Sequence, residues 1–255
     1  MMGAARKAAR GLVRDFGEVE QLQVSLKGTS DFVSSADLKA EKILRAELTK
    51  ARPDFGLVLE EAGEIAGKDR SHRWLIDPLD GTTNFLHGIP HFAISIALER
   101  DGEIVAGVIY QPLTDEMYHA EKGAGAFVNE RRLRVSARRR LEDAVLATGI
   151  PHRGRGDHPA FLRQLAAVMA ATAGVRRFGS AALDLAYVAA GRCDGFWETA
   201  LQPWDVAAGI LMVREAGGYV SEIGGGHGML HSGDILAAND HLHLQLGTLL
   251  RGAAA

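Results

Sequence analysis

Hydrophobic positions along the chain recur at two spacings. Apolar residues three and four apart predict helices over roughly 4–16, 37–50 and 159–173, and further helices begin near 180 and 205. Alternating or continuous apolar runs predict strands at 92–99, 104–110 and 125–128, and later at 144–148, 194–197 and 235–238. Strands cluster in the first half and alternate with helices in the second, so the pattern predicts layered helices and sheets around a central cleft.

The stretch 74–85, WLIDPLDGTTNF, carries the strongest chemical signal. An apolar approach predicts a buried strand, and Pro78 cannot donate to a sheet ladder, so the strand is expected to stop there. Asp77 and Asp80 can then face one point, since a regular strand would place positions three apart on opposite faces. Magnesium prefers convergent oxygens of this kind, and the following Gly-Thr-Thr suits an anion. The alternative is a polar loop with Asx turns.

Other acidic residues follow or precede regular elements. Glu60 and Glu61 come after the apolar run 57–59, and either one can supply a third carboxylate or lie on a solvated edge. Asp37 and Asp205 each open a predicted helix, where capping is the ordinary role. Two carboxylates about 4 Å apart repel by about 4 kcal/mol at an effective dielectric of about 20. If these acidic residues meet in one place, divalent metal ions are therefore expected to neutralise them.

Composition narrows the class of protein. The 255 residues are 47% hydrophobic, enough for one large domain or two packed lobes. A net charge of −3 gives no overall attraction to nucleic acid or anionic membrane. Cys193 is the single cysteine, which excludes an internal disulfide and a cysteine-based zinc site and predicts a packing role. With no signal peptide or long apolar run, we expect a soluble cytoplasmic protein.

Two weaker signals remain. His87 and His91 are four positions apart, but Pro90 breaks any helix between them, so we do not expect them to bind zinc. We expect them to lie at the surface or to support neighbouring residues of the site. One basic cluster is typical of a solvated face, and its alternative is contact with RNA or a transcription complex. It consists of Arg131, Arg132, Arg134, Arg138, Arg139 and Arg140.

Five spaced segments together resemble the inositol monophosphatase family, especially its bacterial branch. They are 27–37, Glu60-Glu61, 77–85, 179–182 and Trp204-Asp205, and the similarity extends over 107–129 and 183–198. The resemblance implies a five-layer αβαβα sandwich, also found in fructose-1,6-bisphosphatases. It also implies a single domain over 1–255, with lobes of roughly 1–143 and 144–255, and a homodimer.

The resemblance also implies a set of metal ligands. One metal is bound by Glu60, Asp77 and the Leu79 carbonyl, a second by Asp77, Asp80 and Asp205, and a third, weaker ion by Glu60 and water. Mg²⁺ is the expected cofactor, two to three per subunit, and Mn²⁺ is expected to substitute for it.

The catalytic residues implied are Asp37, Glu60 and Thr82. A metal-bound water is the nucleophile, and it is oriented by Thr82 and Asp37. No phosphoenzyme is expected.

On the substrate side, the amides of Gly81 and Thr82 hold the phosphate, next to Asp80 and Asp205. Residues matching Gly179, Ser180 and Ala181 line the alcohol, and Glu198 accepts hydrogen bonds from inositol hydroxyls. Ser180 can equally be a helix cap, and Glu198 a solvated strand end.

Several positions depart from the family pattern. Gln202 and Pro203 replace a histidine and a cysteine of animal members, Leu59 replaces a common glycine, and Gln111 replaces a frequent asparagine. These departures leave the fine substrate preference open.

The expected activity is Mg²⁺-dependent hydrolysis of inositol 1-phosphate, inhibited by lithium. Alternative substrates are fructose 1,6-bisphosphate, adenosine 3′,5′-bisphosphate and histidinol phosphate. The non-enzymatic alternative is a regulatory protein that contacts RNA or RNA polymerase, as some bacterial relatives do.

Overall fold

A computed structural model describes residues 1–18, 24–28, 31–151 and 156–254. The longer helices match the predicted positions, and the structure adds a C-terminal helix that the pattern did not reveal. The helices are α1 Met2–Phe16, α2 Ser35–Ala51, α3 Thr82–Leu86, α4 His158–Ala171, α5 Ala181–Ala189, α6 Pro203–Glu215, α7 Met229–Ser232 and α8 Asp240–Ala254.

An eight-stranded sheet follows the first two long helices. Its strands are β3 Phe55–Leu59, β4 Gly63–Ile65, β5 Asp69–Asp80, β6 Ala93–Arg100, β7 Glu103–Gln111, β8 Glu116–Glu121, β9 Gly125–Val128 and β10 Arg131–Arg132. The spatial order is β10-β9-β8-β7-β6-β5-β3-β4, with β3 and β5 parallel and the other neighbours antiparallel. A separate antiparallel pair consists of β1 Val24–Gly28 and β2 Asp31–Ser34.

A second, five-stranded sheet is built from the later part of the chain. Its strands are β11 Val145–Thr148, β12 Gly174–Arg176, β13 Gly195–Glu198, β14 Tyr219–Ser221 and β15 Ile235–Ala238, in the order β12-β11-β13-β15-β14. Strand β11 runs parallel to both of its neighbours, whereas β15 is antiparallel to β13 and β14.

Helices cover the faces of both sheets and produce five layers. Helices α1 and α2 pack on one face of the large sheet, α5 and α6 lie between the two sheets, and α4 and α8 pack on the outer side of the small sheet. The described residues form three separate apolar cores, which fill the spaces between these layers. The predicted αβαβα sandwich is therefore confirmed, whereas the division into lobes at 143/144 remains a prediction.

One local prediction was wrong. Strand β5 does not stop at Pro78 but continues to Asp80. Its pairing with β6 shifts register between Asp77 and Asp80, so Pro78 sits in the irregular step, where its missing N–H removes no ladder bond.

Three smaller expectations can be compared with the structure. Cys193 is buried and not disulfide-bonded, which agrees with a packing role. Thr29 and Ser30, part of the motif at 27–37, lie outside the described residues. In the described part of the chain, no helix is both long and apolar enough to cross a bilayer.

Candidate active site

The predicted site residues come together around one cavity of about 400 Å³ between the two sheets. The ends of β5 and β13 and the starts of α3, α5 and α6 supply its walls. The predicted residues on this wall are Glu60, Asp77, Leu79, Asp80, Gly81, Thr82, Gly179, Ser180, Ala181, Glu198 and Asp205. Their roles remain predictions, but their convergence is a property of the fold.

The irregular end of β5 brings the motif carboxylates to the same side. Asp77 is buried, and its Oδ1 accepts a hydrogen bond from the Leu79 amide at 2.8 Å. That bond closes a short turn over Pro78, after which Asp80 pairs again with β6 opposite Ala93. The turn thus lets two aspartates three positions apart face one cavity.

Glu60, rather than Glu61, belongs to the cavity. The Glu60 amide donates to the Ile76 carbonyl at 3.2 Å, which extends the parallel pairing of β3 and β5 by one residue. Glu60 therefore lies beside the end of β5 and Asp77. The Glu61 amide instead donates to Glu41 Oε2 at 2.8 Å, toward α2, and Glu61 is absent from the cavity wall.

Asp37 reaches the site through Thr82. Thr82 Oγ1 lies 3.1 Å from Asp37 Oδ1 and 3.0 Å from the Leu79 carbonyl oxygen. The other Asp37 oxygen accepts hydrogen bonds from the Ser34 amide and hydroxyl in a capping box at the start of α2. Asp37 is fully buried and does not line the cavity, so its contact with a substrate or a water would run through Thr82.

Asp205 also combines a cap with a place in the site. It is the third residue of α6, and its Oδ2 accepts the Gln202 amide at 2.8 Å in a second capping box. Ser95 Oγ donates to the Trp204 carbonyl at 3.0 Å, which ties the start of α6 to β6. The cap and this tie hold the Asp205 carboxylate on the cavity wall.

The carboxylates of Glu60, Asp77, Asp80 and Asp205 repel one another. Burial, followed by the charges of Glu60, Asp80 and Asp205, raises the pKa of Asp77 well above its ordinary value. Burial and the charge of Asp80 raise the pKa of Asp205 in the same way. Burial also raises the pKa of Asp80 to about 6, against hydrogen bonds from Ser180 and Ala182 that favour the charged form. Crowded carboxylates of this kind are stabilised by cations.

The donor set suits a hard metal ion. Carboxylates and the Leu79 carbonyl are all oxygen ligands, the kind that Mg²⁺ takes, and the described residues of the cavity wall include no cysteine or histidine. Within the described residues, no group of three or more His, Cys, Asp or Glu side chains already has the arrangement needed to hold an ion. The individual ligand assignments therefore remain predictions.

Two glycines of the cavity wall allow backbone segments to approach closely. Gly81 has φ +97°, and a Cβ there would lie 3.1 Å from the His91 carbonyl oxygen and 3.3 Å from that of Gly179. Gly179 itself has φ +91°, and a Cβ would meet the Asn84 amide at 3.0 Å. These two turns therefore pack against each other at the cavity, which only glycine permits without strain.

Several residues of the cavity wall were missed by the sequence analysis, and the polar ones are Asp184 and Arg177. Asp184, one turn after Ser180 in α5, is 1% exposed, and its Oδ1 has no hydrogen-bond partner among the described residues. Burial and the charges of Glu198 and Asp80 raise its pKa well above the ordinary value. Arg177 is the single basic side chain on the described wall. Asp184 follows Ser180 by four residues, a spacing that places both on the same face of a helix, and this spacing could have identified Asp184 from the sequence.

Gly149, directly after β11, was missed as well. A Cβ at Gly149 would lie 1.9 Å from the carboxyl carbon of Glu198, so the glycine leaves the space that this side chain occupies. Nothing in the local sequence shows this, because β11 and β13 are neighbours only in the folded sheet.

His87 and His91 are not on the described cavity wall. His87 Nδ1 is 2.8 Å from the Thr83 carbonyl oxygen. The His91 ring stacks on Phe178 with centroids 5.3 Å apart, and burial lowers the pKa of His91 to about 4.

Comparison with known proteins places this arrangement in a family. Residues 1–253 match the inositol monophosphatase family model. An inositol-1-monophosphatase of Mesorhizobium japonicum is 63% identical over 240 residues, covering 94% of this chain and 90% of the relative. The Nus factor SuhB of Escherichia coli is 44% identical over 236 residues, covering 92% of this chain and 88% of the relative.

A solved structure has the same fold as this chain. The extragenic suppressor protein suhB of Bartonella henselae superposes with a TM-score of 0.96 at 62% identity, covering 98% of this chain and 96% of that one. The matched fold, motifs and cavity together show that this chain belongs to the inositol monophosphatase family.

Proposed function

We propose that this protein is a metal-dependent phosphatase that hydrolyses inositol 1-phosphate to inositol and phosphate. The observation that carries the proposal is the gathering of Glu60, Asp77, Asp80 and Asp205 on one cavity, beside the turn at Gly81. Relatives named inositol-1-monophosphatase at 57–63% identity support the substrate class.

Mg²⁺ is the proposed cofactor, with two to three ions per subunit. Glu60, Asp77 and the Leu79 carbonyl would hold one ion, and Asp77, Asp80 and Asp205 a second. When bound, such ions lower the pKa of a coordinated water and neutralise charge on the phosphate oxygens. Ser180 donates a hydrogen bond to Asp80 Oδ2, and the Gln202 amide donates one to Asp205 Oδ2. In each carboxylate, Oδ1 is therefore left as a ligand atom for a metal ion.

Thr82 and Asp37 orient the attacking water. If the Thr82 hydroxyl donates its proton to Asp37 Oδ1, its oxygen can accept a hydrogen bond from a water in the cavity that Thr82 lines. Asp37 is buried, and its other oxygen accepts the Ser34 amide and hydroxyl, so the pair is fixed before substrate arrives. That preorganisation favours a single direction of attack.

The phosphate and alcohol halves of the substrate occupy different walls. Gly81 starts α3, so the first amides of that helix have no acceptor within it and are suited to phosphate oxygens. Glu198 accepts hydrogen bonds from vicinal hydroxyls of the alcohol, next to Gly179 and Ala181. Asp80 and Asp205 line the same cavity and would contact both metal and substrate.

Phosphate release from a panel of esters tests the proposal. With Mg²⁺, we expect inositol 1-phosphate to be hydrolysed with a higher kcat/KM than fructose 1,6-bisphosphate, adenosine 3′,5′-bisphosphate or histidinol phosphate. EDTA should abolish release, and added Mg²⁺ or Mn²⁺ should restore it, because the ligands are hard oxygens. A higher kcat/KM for fructose 1,6-bisphosphate would reassign the substrate, and restoration by Zn²⁺ alone would contradict the ligand set.

A second role, contact with a transcription complex, is supported by the relatives named Nus factor SuhB. The six arginines between 131 and 140 are all exposed, so they are available to an anionic partner. Part of their charge is used within the chain: Arg138 pairs with Asp194 at 3.1 Å, and Arg140 pairs with Glu142. Failure of the whole ester panel, together with salt-sensitive RNA binding, would favour this role.

A homodimer and a cytoplasmic location complete the proposal. Sedimentation at several protein concentrations tests the dimer, and a purely monomeric species would refute it.

A further inference from the structure

The proposed metal ligand Asp80 is held by a distant segment, the start of α5. Asp80 Oδ2 accepts hydrogen bonds from Ser180 Oγ at 2.6 Å and from the Ala182 amide at 2.7 Å. Ser180 is 1% exposed and is the N-cap of α5, where its Oγ also accepts the Leu183 amide at 3.3 Å. One hydroxyl therefore starts the helix and fixes the carboxylate.

This contact decides which Asp80 oxygen is left for a cation. A carboxylate rotates readily about its last bond, and the charge of Glu60 repels Asp80. Two donors on Oδ2 oppose that rotation and leave Oδ1 as the other ligand atom. The N-terminal end of α5 adds the positive end of its dipole to the same carboxylate.

The position of Ser180 is itself fixed from the Asp80 side of the cavity. Asn84 Nδ2 donates to the Phe178 carbonyl at 2.8 Å and to the His91 carbonyl at 2.8 Å. The turn before Ser180 is therefore docked on the helix that follows Asp80. These contacts lie within the protein and require no substrate.

We propose that Ser180 is a positioning residue that orients Asp80 for metal binding, and that its hydroxyl acts on the cation site rather than on the alcohol of the substrate. The inference rests on the proposed metal-dependent function. It differs from the substrate contact expected for the segment 179–181.

The test measures Mn²⁺ binding in the absence of substrate, by isothermal titration and by the electron paramagnetic resonance signal of free Mn²⁺. Ser180→Gly removes the hydroxyl but keeps an acceptable N-cap. We expect Mn²⁺ affinity to fall by about 10-fold, the lower end for loss of a partner that orients a ligand. Ser180→Thr keeps the hydroxyl and should restore most of the affinity.

The matched control is Ser221→Ala. Ser221 is also a buried serine, but it lies on β14, away from the cavity wall, and hydrogen-bonds to His243. This variant should bind Mn²⁺ with wild-type affinity.

Kinetics separate the two possible roles of Ser180. For Ser180→Gly, the Mn²⁺ concentration that gives half-maximal rate should rise with the dissociation constant. The KM for inositol 1-phosphate at saturating Mn²⁺ should change less than about 3-fold. Unchanged Mn²⁺ affinity with a raised KM, or no change in either quantity, would overturn the proposal.

Folding is checked by near-UV circular dichroism. If Ser180→Gly does not fold, Ser180→Cys keeps the side-chain size with a weaker donor and should show the same direction of change. Normal Mn²⁺ affinity in the folded cysteine variant would also overturn the proposal. Wild-type protein that binds Mn²⁺ but releases no phosphate would refute the proposed function instead, because the binding assay needs no turnover.

Discussion

Gly149→Ala is expected to damage substrate recognition while leaving the fold intact. The new Cβ would lie 1.9 Å from the Glu198 carboxyl carbon and 1.9 Å from one of its oxygens. Ordinary contact begins at 3.4 Å, so the carboxylate has to move by about 1.5 Å. The clash falls on the end of a flexible side chain, so the cost appears in the position of Glu198 more than in folding.

The magnitude follows from the hydrogen bonds that Glu198 is proposed to accept. A hydrogen bond to a charged group contributes about 1.5–3 kcal/mol, so kcat/KM for inositol 1-phosphate should fall by about 10- to 150-fold. Phenyl phosphate has no vicinal hydroxyls, and its kcat/KM should change less than about 3-fold. The free energy of unfolding should stay within about 1 kcal/mol of wild type, since Gly-to-Ala changes without strain are small.

The assay is phosphate release from both esters with saturating Mg²⁺, combined with urea unfolding. Gly224→Ala is the matched control, because nothing lies within 4 Å of a Cβ at that glycine. An unchanged kcat/KM for inositol 1-phosphate would refute the role of Glu198. An equal loss on both esters would show that the substitution disturbs the phosphate or metal side instead.

Three further predictions follow from the carboxylate cluster. Asp77→Asn should reduce phosphate release to background. The melting temperature of the metal-free variant should be no lower than that of wild type, because the substitution removes a charge that its neighbours repel. Near-normal turnover would exclude Asp77 as a ligand. Burial raises the pKa of Asp80 to about 6, so the folded state binds its proton more tightly than the unfolded state. That contribution to stability is lost as pH rises from about 4 to about 6. Metal-free wild type should therefore lose more unfolding free energy than Asp80→Asn over this range in EDTA, and parallel urea-unfolding curves would contradict the assignment. Lithium at millimolar concentration should inhibit phosphate release, and an unaffected rate would count against close functional similarity to the family.

Much of the site was predictable because its residues carry their signal locally. The apolar approach, Pro78 and the two aspartates of 77–80 form one continuous motif, and the structure places both aspartates on the same cavity. Asp37 and Asp205 stand at helix starts, where capping geometry fixes a carboxylate from sequence alone. The resemblance then supplied the step that spacing could not, namely that these segments meet.

Other features depend on pairings between distant segments. The choice of Glu60 over Glu61 follows from the parallel register of β3 with β5; residue spacing left the two open, and only the resemblance named Glu60. The continuation of β5 past Pro78 depends on a register shift against β6. Strand β8 and helix α8 were missed, since their patterns are weak without the neighbours that bury them.

The amino-acid sequence by itself determined the longer helices α1, α2 and α4, the carboxylates at the starts of α2 and α6, and the acidic motif, because these depend on residues within a few positions of one another. The tertiary structure alone decided that Gly149 makes room for Glu198 and that Ser180 holds Asp80. Each of these contacts joins segments 49 to 100 residues apart, and their geometry is fixed by how the strands of the small sheet pair and how α5 packs between the two sheets.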